Sequence, residues 1–223
     1  MQRFVLLLVA VATAQGQTQE TPKRCCISHQ FTATLGEVGQ AVKMGQGVPV
    51  DGFNFLTYDY DAKVMTVEAH LKNFVTGNMT TTSVVIDYNA AKQYIKTEDG
   101  KCFYSPAPPT MREPCIPANA TFFGQVVFGS SSDNLKANVW EFTPSTQPGT
   151  TAKLAVSVSD CTPIVQATYG DMQGADTEVT YFFTDFQPTI ADRSPLTIPL
   201  NCMPLPTASP NNPPVGRRSI PFS

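Results

Sequence analysis

The chain reads as an all-β, mainly antiparallel protein. Three observations predict that class: short runs in which apolar and polar residues alternate, Gly, Pro, Asn and Asp punctuating those runs, and a near absence of helix signals. A polar lead over residues 15–24 precedes the first strand candidate at 31–35. Phe53-Asn54-Phe55-Leu56-Thr57-Tyr58 and Val64-Met65-Thr66-Val67-Glu68-Ala69 then form two alternating arms around a polar turn at 59–63, which predicts a hairpin. A second hairpin follows, with arms at 84–88 and 93–96 and a turn at 89–92. Further strand candidates cover 122–128, 137–142, 154–158, 164–169 and 178–186, each of ordinary strand length and rich in Val, Phe or Tyr. Roughly ten strands result, and an antiparallel sheet that wide curls or splits into two packed layers. The two weakest helix-compatible stretches, 129–136 and 188–194, are short enough to be loops.

Both ends of the chain differ from this pattern. A basic start at Arg3, an apolar run over 4–12 and the small-x-small triplet Ala12-Thr13-Ala14 predict a secretory signal peptide over 1–14. That run falls well short of the roughly 20 apolar residues a membrane-spanning helix needs, so the expected product is a soluble, secreted chain. Residues 203–223 place Pro204, Pro206, Pro210, Pro213 and Pro214 among Ser, Asn and Gly, a composition that predicts a disordered tail. Residues 25–202 are then expected to form one domain. A net charge of -3 with no basic run longer than Arg217-Arg218 excludes a nucleic-acid footprint.

Six cysteines, Cys25, Cys26, Cys102, Cys115, Cys161 and Cys202, fit a disulfide framework in an oxidising compartment. The absence of any Cys-x-x-Cys pair and the presence of only two histidines, His29 and His70, argue against zinc. Spacing alone leaves all complete pairings open.

The sequence supplies few residues for catalysis. No Gly-x-Ser-x-Gly elbow exists, and Gly129-Ser130-Ser131-Ser132-Asp133 reads as a polar loop. Both histidines lie on strand-like segments and are expected to face solvent. Asp59, Asp61 and Asp87 sit at hairpin ends, where Asp serves turn hydrogen bonds. No twelve-residue calcium loop occurs. The expectation is a protein that is not an enzyme and carries no catalytic residues or cofactor. Asn78-Met79-Thr80 and Asn119-Ala120-Thr121 are glycosylation acceptors, so Asn78 and Asn119 are expected to carry glycans.

The apolar inventory says more, with 14 Phe and 7 Tyr against the single Trp140. Phe122-Phe123, Phe182-Phe183 and Phe186 put aromatic surface on both faces of their strands, more than a one-sided sheet requires. One face must meet a second apolar layer, a partner or a ligand. Which of these rings points inward depends on strand register, and a slip of one residue reverses the answer.

The order of several short motifs resembles the ependymin family, specifically its secreted glycoproteins. They are Asp160-Cys161-Thr162-Pro163, Tyr181-Phe182-Phe183-Thr184-Asp185-Phe186, Ile190-Ala191-Asp192-Arg193-Ser194 and Pro199-Leu200-Asn201-Cys202. Upstream, Cys25, Leu56-x-Tyr58-Asp59, Asp99-Gly100-Lys101-Cys102 and Ile116-Pro117-Ala118-Asn119-Ala120-Thr121-Phe122 extend the match over nearly all of 25–202. The resemblance implies two curved antiparallel sheets in a half-barrel around a hydrophobic pocket, similar to bacterial lipoprotein carriers, usually as a homodimer. It implies a secreted glycoprotein that binds a fatty acid or other lipid, with calcium association and a lysosomal or extracellular location. The alternative it leaves is a calcium-dependent matrix or adhesion glycoprotein without lipid cargo, with extracellular matrix components as partners. It also implies that the early cysteine joins Cys161 and that Cys102 joins Cys202. The doubled Cys25-Cys26 and the extra Cys115 depart from the vertebrate pattern, so one of the adjacent pair is expected to take Cys161 and the other Cys115.

Overall fold

The computed structural model describes residues 20–206 apart from 44, 75, 109, 131, 146 and 172–174. The expected signal peptide and residues 207–223 of the expected tail lie outside the described residues. The chain is all-β and mainly antiparallel, as its alternation predicts. Its strands are β1 (Gln30–Lys43), β2 (Gln46–Asp59), β3 (Val64–Lys72), β4 (Met79–Asp87), β5 (Lys92–Thr97), β6 (Cys102–Pro106), β7 (Thr121–Gly129), β8 (Asn134–Phe142), β9 (Thr150–Ser157), β10 (Pro163–Asp171), β11 (Asp176–Gln187) and β12 (Met203–Pro204).

Where two sheets were expected, hydrogen bonding runs unbroken through one twelve-stranded sheet in the order β12-β6-β5-β4-β3-β2-β1-β11-β10-β9-β8-β7. The join is the β1–β2 hairpin, whose two arms are 14 residues each. Its far half, with Gly36, Gly39, Gly45, Gly47, Pro49 and Gly52, has the composition of a loop, yet it pairs to the tip. Two of those glycines are required by close approach. A Cβ on Gly39 would lie 2.1 Å from the carbonyl oxygen of Glu178, and one on Gly52 would lie 2.2 Å from that of His70. Only glycine lets neighbouring strands approach so closely there.

One face of the sheet carries the core. Phe31, Leu35, Leu56, Tyr58, Met65, Ile86, Trp140, Leu154 and Val156 are all nearly fully buried within one cluster. Residues 107–120, between β6 and β7, form a strap across this face, and Met111, Ile116 and Ala120 join the same cluster. The Tyr58 hydroxyl on β2 donates to the Arg112 carbonyl, while the Arg112 guanidinium lies 4.7 Å over the Phe142 ring on β8. One residue of the strap therefore touches both halves of the sheet.

One end of the outer face is covered by the segment after β11. There Ser194–Leu196 forms a 3-10 turn that begins at the last residue of the 188–194 stretch, the rest of which is loop. Thr66 Oγ1 donates to the Pro195 carbonyl at 2.8 Å, and Arg193 pairs with Asp59. Met203 and Pro204, within the expected disordered tail, instead pair in parallel with β6. Three disulfides close the framework: Cys25–Cys161, Cys26–Cys115 and Cys102–Cys202, over separations of 136, 89 and 100 residues. The two bridges from the adjacent cysteines fasten the N-terminal segment to the β9–β10 turn and to the strap, which is the division expected of the doubled pair.

Candidate functional site

Strand register decides which aromatic rings turn inward. Phe183 stands opposite Leu35 on the core face and is buried, while Phe182 stands opposite Gly36 on the outer face and is 47% exposed. In β7 the register slips between Phe122 and Gly124. Phe122 packs 5.5 Å from the Trp140 ring, whereas Phe123 is left exposed.

The core face is not uniformly apolar. Continuing the alternation of Phe31, Ala33 and Leu35 puts Glu37 on the same face, where it is only 6% exposed. Asn54 Nδ2 donates to Glu37 Oε2 at 2.8 Å, and the Tyr181 hydroxyl donates to Oε1 at 3.4 Å. Across the strands, Glu37 is opposite Tyr181, Tyr181 opposite Gln166, Gln166 opposite Leu154 and Leu154 opposite Trp140. This row passes through two buried polar atoms without a hydrogen-bond partner, Gln166 Oε1 and Trp140 Nε1. None of Glu37, Asn54, Gln166 or Tyr181 was singled out from sequence as a site residue. The signal for Glu37 was its even spacing from Phe31, hidden because the strand was expected to end at Leu35.

The strap roofs this face incompletely. Val84, Ile95 and Phe103 lie on the core side of β4, β5 and β6, in register with one another, and all three are half-buried. The resemblance implied a hydrophobic pocket; among the described residues the apolar surface is present as a face of one open sheet. A small hollow lies beside Cys25 and Cys161, between Ile27, Ile116, Leu154 and Val156, with room for about one water molecule. Burial drives the ionisation behaviour of the strap contacts. It pushes the Tyr58 phenol upward, with Tyr88 as a second cause, and lowers the Arg112 guanidinium to about 10.

The remaining sequence candidates serve structure. Asp59 Oδ1 accepts the Ala62 N–H at 2.9 Å, and Asp87 Oδ1 accepts the N–H groups of Asn89 and Ala90. Asp61 pairs with His29 at 2.9 Å. No cluster of three or more metal-capable side chains occurs among the described residues. His29 is exposed, as expected. His70 is not simply solvent-facing: its ring stacks on Phe53 at 4.7 Å, and its Nε2 lies 2.9 Å from Glu68 Oε1. Asn78 and Asn119 are both exposed, and Asn119 Nδ2 donates to the Thr143 carbonyl at 3.2 Å. Ser130 and Ser132 lie in the β7–β8 turn, their hydroxyls 3.0 Å apart.

The family model named Ependymin matches residues 76–202, more than half of the chain. The chain belongs to the ependymin family. Comparison with solved structures finds an uncharacterized conserved protein from Thermus thermophilus, 11% identical, with a TM-score of 0.47 over 80% of this ependymin and 90% of that chain. It also finds a LolA superfamily protein from Nitrosomonas europaea, 8% identical, with a TM-score of 0.33 over 76% of this ependymin and 90% of that chain. Curated protein sequences give no match. No helix among the described residues of this ependymin is long and apolar enough to cross a membrane.

Proposed function

We propose that this ependymin is a secreted, glycosylated carrier that shelters an apolar ligand on the core face of its curved sheet. The observation that carries the reading is the incomplete roof: apolar Val84, Ile95 and Phe103 continue the core face beyond the strap and remain half-buried. Burying an alkyl chain there gains about 0.8 kcal/mol per methylene, so a chain of about 16 carbons gains ~13 kcal/mol gross, enough for micromolar binding after association costs. Three disulfides fit secretion, because such bridges persist in oxidising compartments.

Native mass spectrometry of protein secreted from eukaryotic cells and enzymatically deglycosylated, followed by solvent extraction, tests the proposal. A stoichiometric lipid adduct is the expected result. A bare mass that stays bare after incubation with mixed lipids overturns it.

A second observation supports a homodimer. Phe53, Phe55 and Phe182 are exposed on the outer face around Gly36, an aromatic patch of the kind that marks interaction surfaces. Sedimentation of the wild-type chain should give a dimer and Phe182→Glu a monomer; a wild-type monomer removes this reading.

A further inference from the structure

We infer that residues 207–223 of this ependymin fold back as a cover over the part of the core face that the strap leaves open, and there compete with the apolar ligand; the competition rests on the carrier reading. Strand register lays that open part out as one row. Val67 on β3 is opposite Val84 on β4, Val84 opposite Ile95 on β5, Ile95 opposite Phe103 on β6, and Phe103 opposite Met203 on β12. Exposure rises along the row: Val67 is 6% exposed, Val84, Ile95 and Phe103 are half-buried, and Met203 at the edge of the sheet is 55% exposed. Leu205 is exposed as well, and its N–H donates to the Tyr104 carbonyl at 2.8 Å, so the chain still follows β6 past the end of β12. Apolar side chains in register, uncovered toward one end, form a surface that gains free energy from a cover.

The chain itself leads there. Its sequence runs on from Pro206, next to Leu205, through residues 207–223. Leu205 lies at the β12 edge, three strands from β4, which is about 15 Å at ordinary strand spacing. A segment the length of 207–223 reaches about 55 Å when extended, and as a flexible coil its ends lie about 20–25 Å apart, so its later residues meet the row without stretching. Those later residues include the apolar ones: Ile220 and Phe222 flank Pro221, downstream of Val215. Pro210, Pro213 and Pro214 restrict the free segment and so reduce the entropy it loses on docking. The tether adds an effective concentration in the millimolar range, which populates a contact too weak to hold a separate peptide. A second copy of the chain has no such advantage.

The test is hydroxyl-radical footprinting of the full secreted chain, stripped of lipid on a hydrophobic resin, beside the full chain carrying Ile220→Glu and Phe222→Glu. Both substitutions lie outside the described residues, and Met79, exposed on the outer face of β4, serves as the reference. Relative to Met79, Met203 and Phe103 should be oxidised several-fold more slowly in the wild type than in the variant. With the cover in place about nine-tenths of the time, dodecanoate should also bind the variant about tenfold more tightly by calorimetry, because apparent affinity scales with the fraction of chains open to the ligand.

Equal oxidation of Met203 and Phe103 in the two chains overturns the cover. Protection that survives both substitutions but fades on dilution places a second copy on the row and overturns it too. Protection lost in the variant with no change in dodecanoate affinity overturns the competition and leaves the docked segment standing. Failure of dodecanoate to bind either chain overturns the carrier reading and with it the competition, while the footprint judges the cover without any ligand.

Discussion

The half-exposed guanidinium of Arg193 donates to the carboxylate of Asp59, which is fully buried at the end of β2. Asp59 Oδ1 also accepts the Ala62 N–H. One side chain thus shapes the β2–β3 turn and anchors the segment that covers the outer face. Removing one partner of such a pair leaves a buried charge without compensation, so Arg193→Ala should cost about 3 kcal/mol in urea unfolding. Adding Asp59→Asn to that variant should recover part of the loss. A cost below about 0.5 kcal/mol for Arg193→Ala would mean that water already satisfies Asp59.

The register of β11 makes a sharp prediction about neighbouring residues. Phe183→Ala, on the core face, should destabilise by about 3–5 kcal/mol, whereas Phe182→Ala should stay within about 0.5 kcal/mol of wild type. Denaturant midpoints at a dilution that keeps the chain monomeric decide it. Equal effects would contradict the pairing of Phe183 with Leu35.

The Cys26–Cys115 bridge ties the strap to the N-terminal segment. Replacing both cysteines by alanine should lower stability by about 2–5 kcal/mol. Peptide mapping of unreduced protein should recover Cys26 linked to Cys115 and Cys25 linked to Cys161. A linkage between Cys25 and Cys115 would overturn the assignment.

Alkaline titration should show two late-ionising tyrosines, Tyr58 and Tyr88. Burial pushes Tyr88 up to about 12 and raises Tyr58 further. Both phenols donate in the fold, Tyr88 to Met65 Sδ at 3.3 Å and Tyr58 to the Arg112 carbonyl, and a phenolate could not. Their folded values lie above the unfolded value of about 10, so the stability they contribute is complete below pH ~10 and is lost as pH rises through about 12. Near-ultraviolet absorbance should show two tyrosines ionising together with loss of structure. Ionisation of Tyr58 and Tyr88 before unfolding would contradict their burial.

Asn78 and Asn119 should each add a glycan when the chain is secreted from eukaryotic cells. Single Asn→Gln variants should each lose one glycan by mass, and an unchanged mass would identify an unused site.

Alternation and turn chemistry made the hairpins legible, because a strand with one buried face writes its period of two into the residues. The arms of β2–β3 and β4–β5, and the cores of β7 to β11, follow from that rule. Residues 36–52 do not, since glycine and proline there mimic a loop while close strand approach demands them. β6 and β12 were equally illegible: each is short, and one is held by a disulfide between residues 100 apart.

The β class, the disulfide framework in outline and the surplus of aromatic surface could be read before any contact was known, because each depends on local pattern and composition. Tertiary structure alone decided that Phe183 and not Phe182 is inside, that the two halves share one sheet, and that Glu37, Gln166 and Trp140 fall in one buried row. Those facts depend on register between strands distant in the chain, and register is a property of pairing that no single strand carries.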